Sequence, residues 1–397
     1  MVTVSEAWQH ILEVLPDFGS ETVALEDACG RVLRQTVTAE RDQPPFDRVM
    51  MDGIAIRHTG ARRFRLQATQ QAGDAPITLS SDEHCIEIMT GAVLPPGTDT
   101  VVPVERIAVA DGHAELEADY EPERGQFVHR RGSDHPEGAL LLAPGSLIGG
   151  PEAAVLASQG LARVAVGRHP AVAVVSTGNE LVGPERALQP QEIRASNGPA
   201  MLAVLRHNGF AGCRDIHLRD EPAAMRNQLG GLLEEHRVLI LSGGVSKGKA
   251  DYVPGILSEL GVEVVFHGVS QRPGKPMWFG VRDDRLVFAL PGNPVSTLVC
   301  FRRYVVPALF GAAGLAPATP ETAILSAEYR FRPSLTCFLP AHVRTDDGGR
   351  LMAAPSPTNT SGDFTTLAGT SGFVELDRER ENFPAGTPVP FYRWQAG

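Results

Sequence analysis

Between residues 168 and 310, short apolar runs alternate with helix-forming segments, and no other feature constrains the fold as tightly. AVAVVS (171–176), the run 213–218, VLIL (238–241), 262–267 and 286–290 each have the length and content of a buried strand. Helical segments separate most of them. Asn197-Gly-Pro opens one, with Asn197 as its cap and Gly209 as its stop; a second runs from 221 to about 236, and a third begins near Tyr252. Apolar strands joined by crossover helices predict a parallel, doubly wound α/β sheet. In such a sheet ligands gather beyond the carboxyl ends of the strands. STGNE (176–180), SGGVSKGK (242–249) and PGNPVS (291–296) all fall at such ends.

Glycine lets a backbone approach an oxyanion closely, and successive amides can form a donor nest. The expected cradle comprises Ser176, Thr177 and Gly178 from the first loop, and Ser242, Gly243, Gly244, Ser246 and Lys249 from the second. Pro291, Gly292, Asn293, Pro294 and Ser296 complete it from the third. The net charge of −11 argues against general nucleic-acid binding. Yet the three lysines of the chain, Lys247, Lys249 and Lys275, all sit in or beside glycine-rich loops. In QRPGKPMWFG (271–280) the prolines stiffen a turn that holds Arg272 and Lys275 close together, which suits a dianion. A tight turn is the plain alternative for each loop taken singly. Trp278 could stack on a flat heterocycle but reads first as a core residue. Four acids stand beside glycine turns: Asp52, Asp134, Glu180 and Asp251. Such carboxylates either bind magnesium near phosphates or cap backbone amides, and spacing does not choose between the two.

Residues 1–46 read as largely helical, beginning with a helix capped by Ser5 that turns Trp8, Ile11, Leu12 and Leu15 to one side. Residues 47–132 are rich in strand and turn signals; after a linker at 311–322 the chain reads as a small all-β domain. Five scattered cysteines without a C-x-x-C pair suggest reduced thiols, hence a cytoplasmic protein, and no zinc site. No run approaches the roughly 18 uninterrupted apolar residues of a membrane span, and the N-terminus does not read as a signal peptide.

Seven motifs then occur in a telling order: TAERDQPPFDRVMMDGIAIR, IMTGAVLPPGTDTVVPVE, RRGSD, VVSTGNEL, LSGGVSKGKADY, RPGKP and LPGNPVS. The chain resembles the molybdopterin molybdotransferases, which include bacterial MoeA and the corresponding domain of gephyrin. The resemblance runs from Ser5 onward and is weakest past 320. It implies a multidomain α+β and α/β subunit. Its parts would be a discontinuous helical domain (1–46 with 133–167) and an inserted β-rich domain (47–132). A molybdopterin-binding α/β domain (168–315) and a C-terminal β-barrel (316–397) would follow.

The resemblance also implies a homodimer, each cleft lying between the α/β domain of one subunit and the inserted domain of the other. The implied reaction inserts molybdate into adenylylated molybdopterin with magnesium-dependent release of AMP, downstream of a molybdopterin adenylyltransferase. By motif, Asp52, Thr90, Asp134, Glu180 and Asp251 form the implied catalytic set, Glu180 and Asp251 would bind magnesium, and Lys275 and Ser296 would meet molybdate. Some positions depart from the family pattern. Arg272 stands where many members have Lys, Asn179 and Lys249 each replace a frequent acid, and an arginine often found near Leu335 is missing. An adenylyltransferase, a gephyrin-like scaffold and a tungstate-handling relative are the alternatives. The first would not need the two β domains, and the second predicts an additional interaction segment or a ruined pocket.

Overall fold

The structure, a computed structural model, describes residues 1–245 and 252–395. The chain divides into two compact units. One comprises Met1–Gln35, Pro144–Ala153 and Ala162–Gly397, the other Thr36–Ala143 and Ala154–Leu161.

The first unit is built on a six-stranded sheet. Its strands are β1 (Val172–Thr177), β2 (Cys213–Leu218), β3 (Val238–Ser242), β4 (Glu263–His267), β5 (Trp278–Arg282) and β6 (Arg285–Leu290), in the order β2-β1-β3-β6-β5-β4. Helices α1 (Asn197–His207), α2 (Pro222–Glu235), α3 (Val253–Glu259) and the long run α4 (Pro294–Ala312) cover its faces. Side chains alternate across the central strands. Val172, Val174, Val238, Ile240, Phe288 and Leu290 join one core with Met201 and Leu205 of α1 and Leu309 of α4. Ala173, Val175, Leu239, Leu241 and Ala289 join a second core with Leu229 of α2 and Leu257 of α3. A strand buried on both faces must be apolar at every position, which is why the expected strands read as unbroken apolar runs.

The sheet is not wholly parallel as expected. β2, β1, β3 and β6 are parallel neighbours, but β5 runs antiparallel to both β6 and β4. The tight connection at Asp283 and Asp284, with Asp283 at φ 53°, closes β5 and β6 as a hairpin. A connection that short can only join antiparallel strands. Trp278 begins β5 and is 1% exposed, a core residue rather than a stacking platform.

α4 is long and apolar enough to span a membrane by length and composition, yet 67% of its most apolar stretch is buried inside the fold. Its middle, a π-helical turn at Phe301–Val305, carries two arginines. Arg303 donates to Glu375 at 3.0 Å and lies against the rings of Tyr304 and Tyr392. α4 is therefore a core helix. It leads to a barrel in which Glu321–Leu325, Leu351–Pro355, Thr336–Thr345, Gly372–Leu376 and Pro388–Arg393 pair in a closed ring of five strands.

The first 46 residues hold one α-helix, Val4–Glu13, followed by strand Ser20–Ala24 and shorter pieces. That helix is capped by Thr3 in a capping box with Glu6, not by Ser5. The box satisfies two end amides at once, which a single Ser5 cap would not. Strand Ser20–Ala24 pairs with Arg163–Gly167, so this part of the segment is recruited into sheet by a partner distant in sequence.

In the second unit, Gly53–Ile56, Arg63–Gln70, His84–Ile88, Thr100–Pro103, Ile107–Ala110 and His113–Leu116 form a six-stranded sheet. Ile54, Ile56, Phe64 and Val102 fill its core.

Candidate functional site

The ends of β1, β3 and β6 lie level with one another. Ser176 pairs with Ser242, and Ser242 pairs with Leu290, so the three glycine-rich loops leave the sheet side by side. Gly243, at φ 101°, passes so close to β1 that a Cβ would stand 2.7 Å from Thr177 Oγ1 and 2.8 Å from the Thr177 carbonyl oxygen. A Cβ on Gly292 would stand 3.5 Å from Gly243 Cα, so the second and third loops also touch.

These contacts revise what the glycines do. The Gly178 amide donates to the Leu218 carbonyl and the Gly243 amide to the Leu290 carbonyl. Two amides expected to face an oxyanion are therefore used within the sheet. Their glycines are required by backbone conformation and close approach, and these two amides do not serve an anion.

Asn197 fastens the loops together. Its Nδ2 donates to Ser242 Oγ and to the Gly292 carbonyl, each at 2.8 Å. The helix cap expected of Asn197 is not its role: Ser196 holds the cap position of α1, and no side chain caps that end. Thr297 Oγ1 donates to the carbonyls of Pro291 and Asn293, at 2.5 and 3.1 Å, which fixes the third loop.

The Arg272–Lys275 turn is fastened from below and from the barrel. Buried Tyr304 donates to Gln271 Oε1 at 2.5 Å, and Gln271 Nε2 donates to Cys300 Sγ at 3.2 Å. Burial pushes the Cys300 thiol up to about 12, so it stays protonated and donates to the Gly274 carbonyl at 3.8 Å. Gly274 sits at φ 94°, and a Cβ there would stand 2.4 Å from that sulfur. Gln271–Arg272 also pairs in parallel with Thr336 and Cys337 of the barrel.

Loops, turn and barrel enclose a cavity of about 1270 Å³. Ser176, Thr177, Gly178 and Glu180 line it, as do Ser242, Gly243, Gly244, Arg272 and Lys275, and then Pro291 through Pro294 with Ser296. These expected site residues are thus brought together. Ser246, Lys249 and Asp251 lie outside the described residues.

The barrel contributes a wall that includes Arg332, Leu335 and the stretch 357–362. Ser361 bridges it to the third loop, accepting from Asn293 Nδ2 at 2.7 Å and from the Val295 amide at 3.1 Å. Arg272, Lys275 and Arg332 have no carboxylate partner among the described residues. Glu180 and Asp220 place two carboxylates on loops following β1 and β2. Carboxylate oxygens are the kind of donor magnesium takes from a protein when substrate phosphates and water complete its shell. No group of three or more His, Cys, Asp or Glu side chains capable of holding a metal occurs among the described residues, which leaves no all-protein cage.

Asn197, Gln271, Asp220 and Arg332 were not singled out from sequence. Asn197 resembled a cap, Gln271 is a lone polar residue before a turn, and Asp220 and Arg332 sit among ordinary surface charges.

Asp52, Thr90 and Asp134 belong to the second unit. Asp52 Oδ1 accepts from the Thr90 amide at 2.6 Å and from its hydroxyl at 2.8 Å, and these bonds hold the carboxyl below its usual range. Asp134 Oδ1 lies 2.9 Å from His129 Nε2, while Arg48 approaches His129 Nδ1 at 3.0 Å. An arginine can only donate, so Nδ1 accepts and Nε2 carries the proton given to Asp134.

Family models for the MoeA N-terminal region (domain I and II), a probable molybdopterin binding domain and the MoeA C-terminal region (domain IV) match residues 2–160, 173–311 and 322–394. A molybdopterin molybdenumtransferase of Synechocystis sp. is 38% identical over 400 aligned residues, covering 99% of this chain and 100% of that protein. A protein of the same name from Staphylococcus aureus is 29% identical, with 98% and 94% covered. The crystal structure of a molybdopterin biosynthesis MoeA protein from Pyrococcus horikosii superimposes with a TM-score of 0.78 at 30% identity, covering all of both chains.

Proposed function

This chain belongs to the MoeA family of transferases, and on that premise we propose that it inserts molybdate into adenylylated molybdopterin with magnesium-dependent release of AMP. The observation that carries the reading is the charge gathered around one cavity, with Arg272, Lys275 and Arg332 on the turn and barrel and Glu180, Arg194 and Asp220 on the connections after β1 and β2.

Each group has a task in that reaction. Lys275 and Arg272, on a turn held by Gln271 and Cys300, draw in the molybdate dianion, and Ser296 offers it a hydroxyl from the start of α4. Ser242 and the Gly243–Gly244 backbone shape the floor on which the phosphorylated substrate rests. Glu180 and Asp220 would hold magnesium, with Asp251 assigned to the same task by motif. When bound, magnesium supplies charge neutralisation along the pyrophosphate link. Asp52, kept ionised by Thr90, and Asp134, oriented by His129, are the remaining acids of the motif set. In the proposed homodimer they serve the cleft of the other subunit. A molybdopterin adenylyltransferase would act upstream, and the cytoplasm is the proposed location.

Two incubations test the reading. With adenylylated molybdopterin, magnesium and molybdate, the purified protein should release AMP and yield a molybdenum-loaded pterin. With molybdopterin and ATP alone it should form no adenylylated product. Adenylylation without molybdenum transfer would replace the proposal by the adenylyltransferase alternative.

A further inference from the structure

Beneath the Arg272–Lys275 turn lies a chain of polar side chains from Tyr304, Gln271 and Cys300, all three closed to solvent. The Tyr304 hydroxyl donates to Gln271 Oε1 at 2.5 Å, Gln271 Nε2 to Cys300 Sγ at 3.2 Å, and the Cys300 thiol to the Gly274 carbonyl at 3.8 Å. Every donor points the same way, and the chain ends on the residue before Lys275. The turn rests directly on it: a Cβ on Gly274 would stand 2.6 Å from Gln271 Nε2. Apolar side chains would fill this space with no hydrogen bond to satisfy. Polar ones favour the one arrangement of the turn that pairs them all, because a lost bond leaves a buried group without a partner.

The helix below has an unusual shape at the same place. Tyr304 belongs to the π-helical turn Phe301–Val305, a geometry that is rare and recurs at functional sites. Three consecutive side chains of that turn reach three different places. Arg302 Nε donates to the Arg393 carbonyl at 2.5 Å, Arg303 Nε to Glu375 Oε2 at 3.0 Å, and Tyr304 to Gln271. The first two partners lie on barrel strands Pro388–Arg393 and Gly372–Leu376. The Arg303 guanidinium also lies 5.2 Å from the centre of the Tyr304 ring. Burial holds the Tyr304 phenol well above its ordinary 10, so it stays a donor. One helical turn thus ties the barrel to the residues that carry positive charge into the cavity.

We propose that Tyr304 is a positioning residue for the oxyanion end of the cavity, acting through Gln271 and Cys300 on the turn that presents Lys275. The inference rests on the transferase reading for that oxyanion being molybdate. Tyr304 itself touches no substrate. It fixes where the turn stands before the anion arrives, so that binding spends little on ordering it.

Sodium molybdate titrations, melting curves and hydrogen exchange of residues 268–277 test this on wild type, Lys275→Ala, Tyr304→Phe and the double variant Gln271→Met/Tyr304→Phe. Tyr304→Phe keeps the ring against Arg303 and leaves Gln271 Oε1 without its donor. It should melt lower, exchange faster at 268–277 and bind molybdate about three- to tenfold more weakly, the worth of one net hydrogen bond. The double variant replaces both partners by apolar groups, so its melting should return towards wild type. Its exchange should stay fast and its affinity weak, because the turn has lost its tether. In turnover both variants should raise the molybdate KM and leave kcat nearly unchanged. Affinity that recovers along with melting in the double variant would reduce Tyr304 to a stability role and overturn the proposal. So would wild-type molybdate affinity in Tyr304→Phe. If wild type binds no molybdate, or Lys275→Ala binds it as tightly, the transferase reading falls. The hold of Tyr304 on the turn is then judged by exchange alone, standing if 268–277 exchanges faster in both variants and overturned if it does not.

Discussion

Thr90 donates twice to one oxygen of Asp52, from its amide at 2.6 Å and from its hydroxyl at 2.8 Å. The two bonds favour the carboxylate, so the Asp52 titration is lowered from the ordinary 3.8, first by the Thr90 amide and then by its hydroxyl. The sign follows. What these bonds add to stability is present above the ordinary carboxylate range and fades as pH falls through the depressed value. Thr90→Val keeps the amide and loses the hydroxyl, so the Asp52 titration should move upward, part of the way back. Carbon-13 NMR titration of the carboxyl measures it; an unmoved titration would mean that the hydroxyl does not act on Asp52.

Lys275→Ala should raise the molybdate concentration needed for half-maximal rate by roughly 10- to 100-fold, the worth of a charge-assisted hydrogen bond of about 1.5–3 kcal/mol. The rate at saturating molybdate should change far less. Steady-state kinetics with molybdate varied will separate the two parameters. An unchanged molybdate dependence would remove Lys275 from the oxyanion end.

Gly243→Ala should cost stability, about 1–3 kcal/mol for the positive φ alone, with more from the approach to Thr177. Gly231 makes the opposite case. It sits inside α2, where a Cβ would meet nothing within 4 Å, so Gly231→Ala should stabilise by about 0.5–1 kcal/mol. Urea unfolding midpoints of the two variants should therefore move in opposite directions. A shift of the same sign would contradict the reason given for the loop glycine.

At a molybdate concentration too low for Lys275→Ala to turn over, the proposed homodimer predicts complementation between inactive variants. In a mixed dimer of Asp52→Asn and Lys275→Ala subunits, one of the two clefts would carry no substitution if each cleft draws on both chains. Random reassortment should then restore about a quarter of wild-type activity. Activity no higher than the two variants give separately would place Asp52 and Lys275 of one cleft on the same chain.

The α/β region was legible because burial on both faces forces unbroken apolar strands, and because glycines that no other residue can replace sit at their ends. β5 was hidden by the turn before it and by Gly280, whose place is too tight for a Cβ: one would stand 2.4 Å from the Trp278 ring. The start of the chain misled for a different reason. Ser20–Ala24 becomes a strand only by pairing with Arg163–Gly167, a partner no local pattern announces. In the cavity, the loops and the charged turn could be read from motif and composition. The duties of Asn197 and Gln271 could not, since each depends on hydrogen bonds to residues far along the chain. Nor could sequence tell that the Gly178 and Gly243 amides are used within the sheet.

Anomalous diffraction at the molybdenum edge, from crystals soaked in molybdate, tests the central claim most directly. The account predicts a molybdenum peak inside the cavity within hydrogen-bonding reach of Lys275 Nζ, lost in Lys275→Ala crystals. A peak out of reach of Lys275, or no peak in the cavity at saturating molybdate, would contradict it.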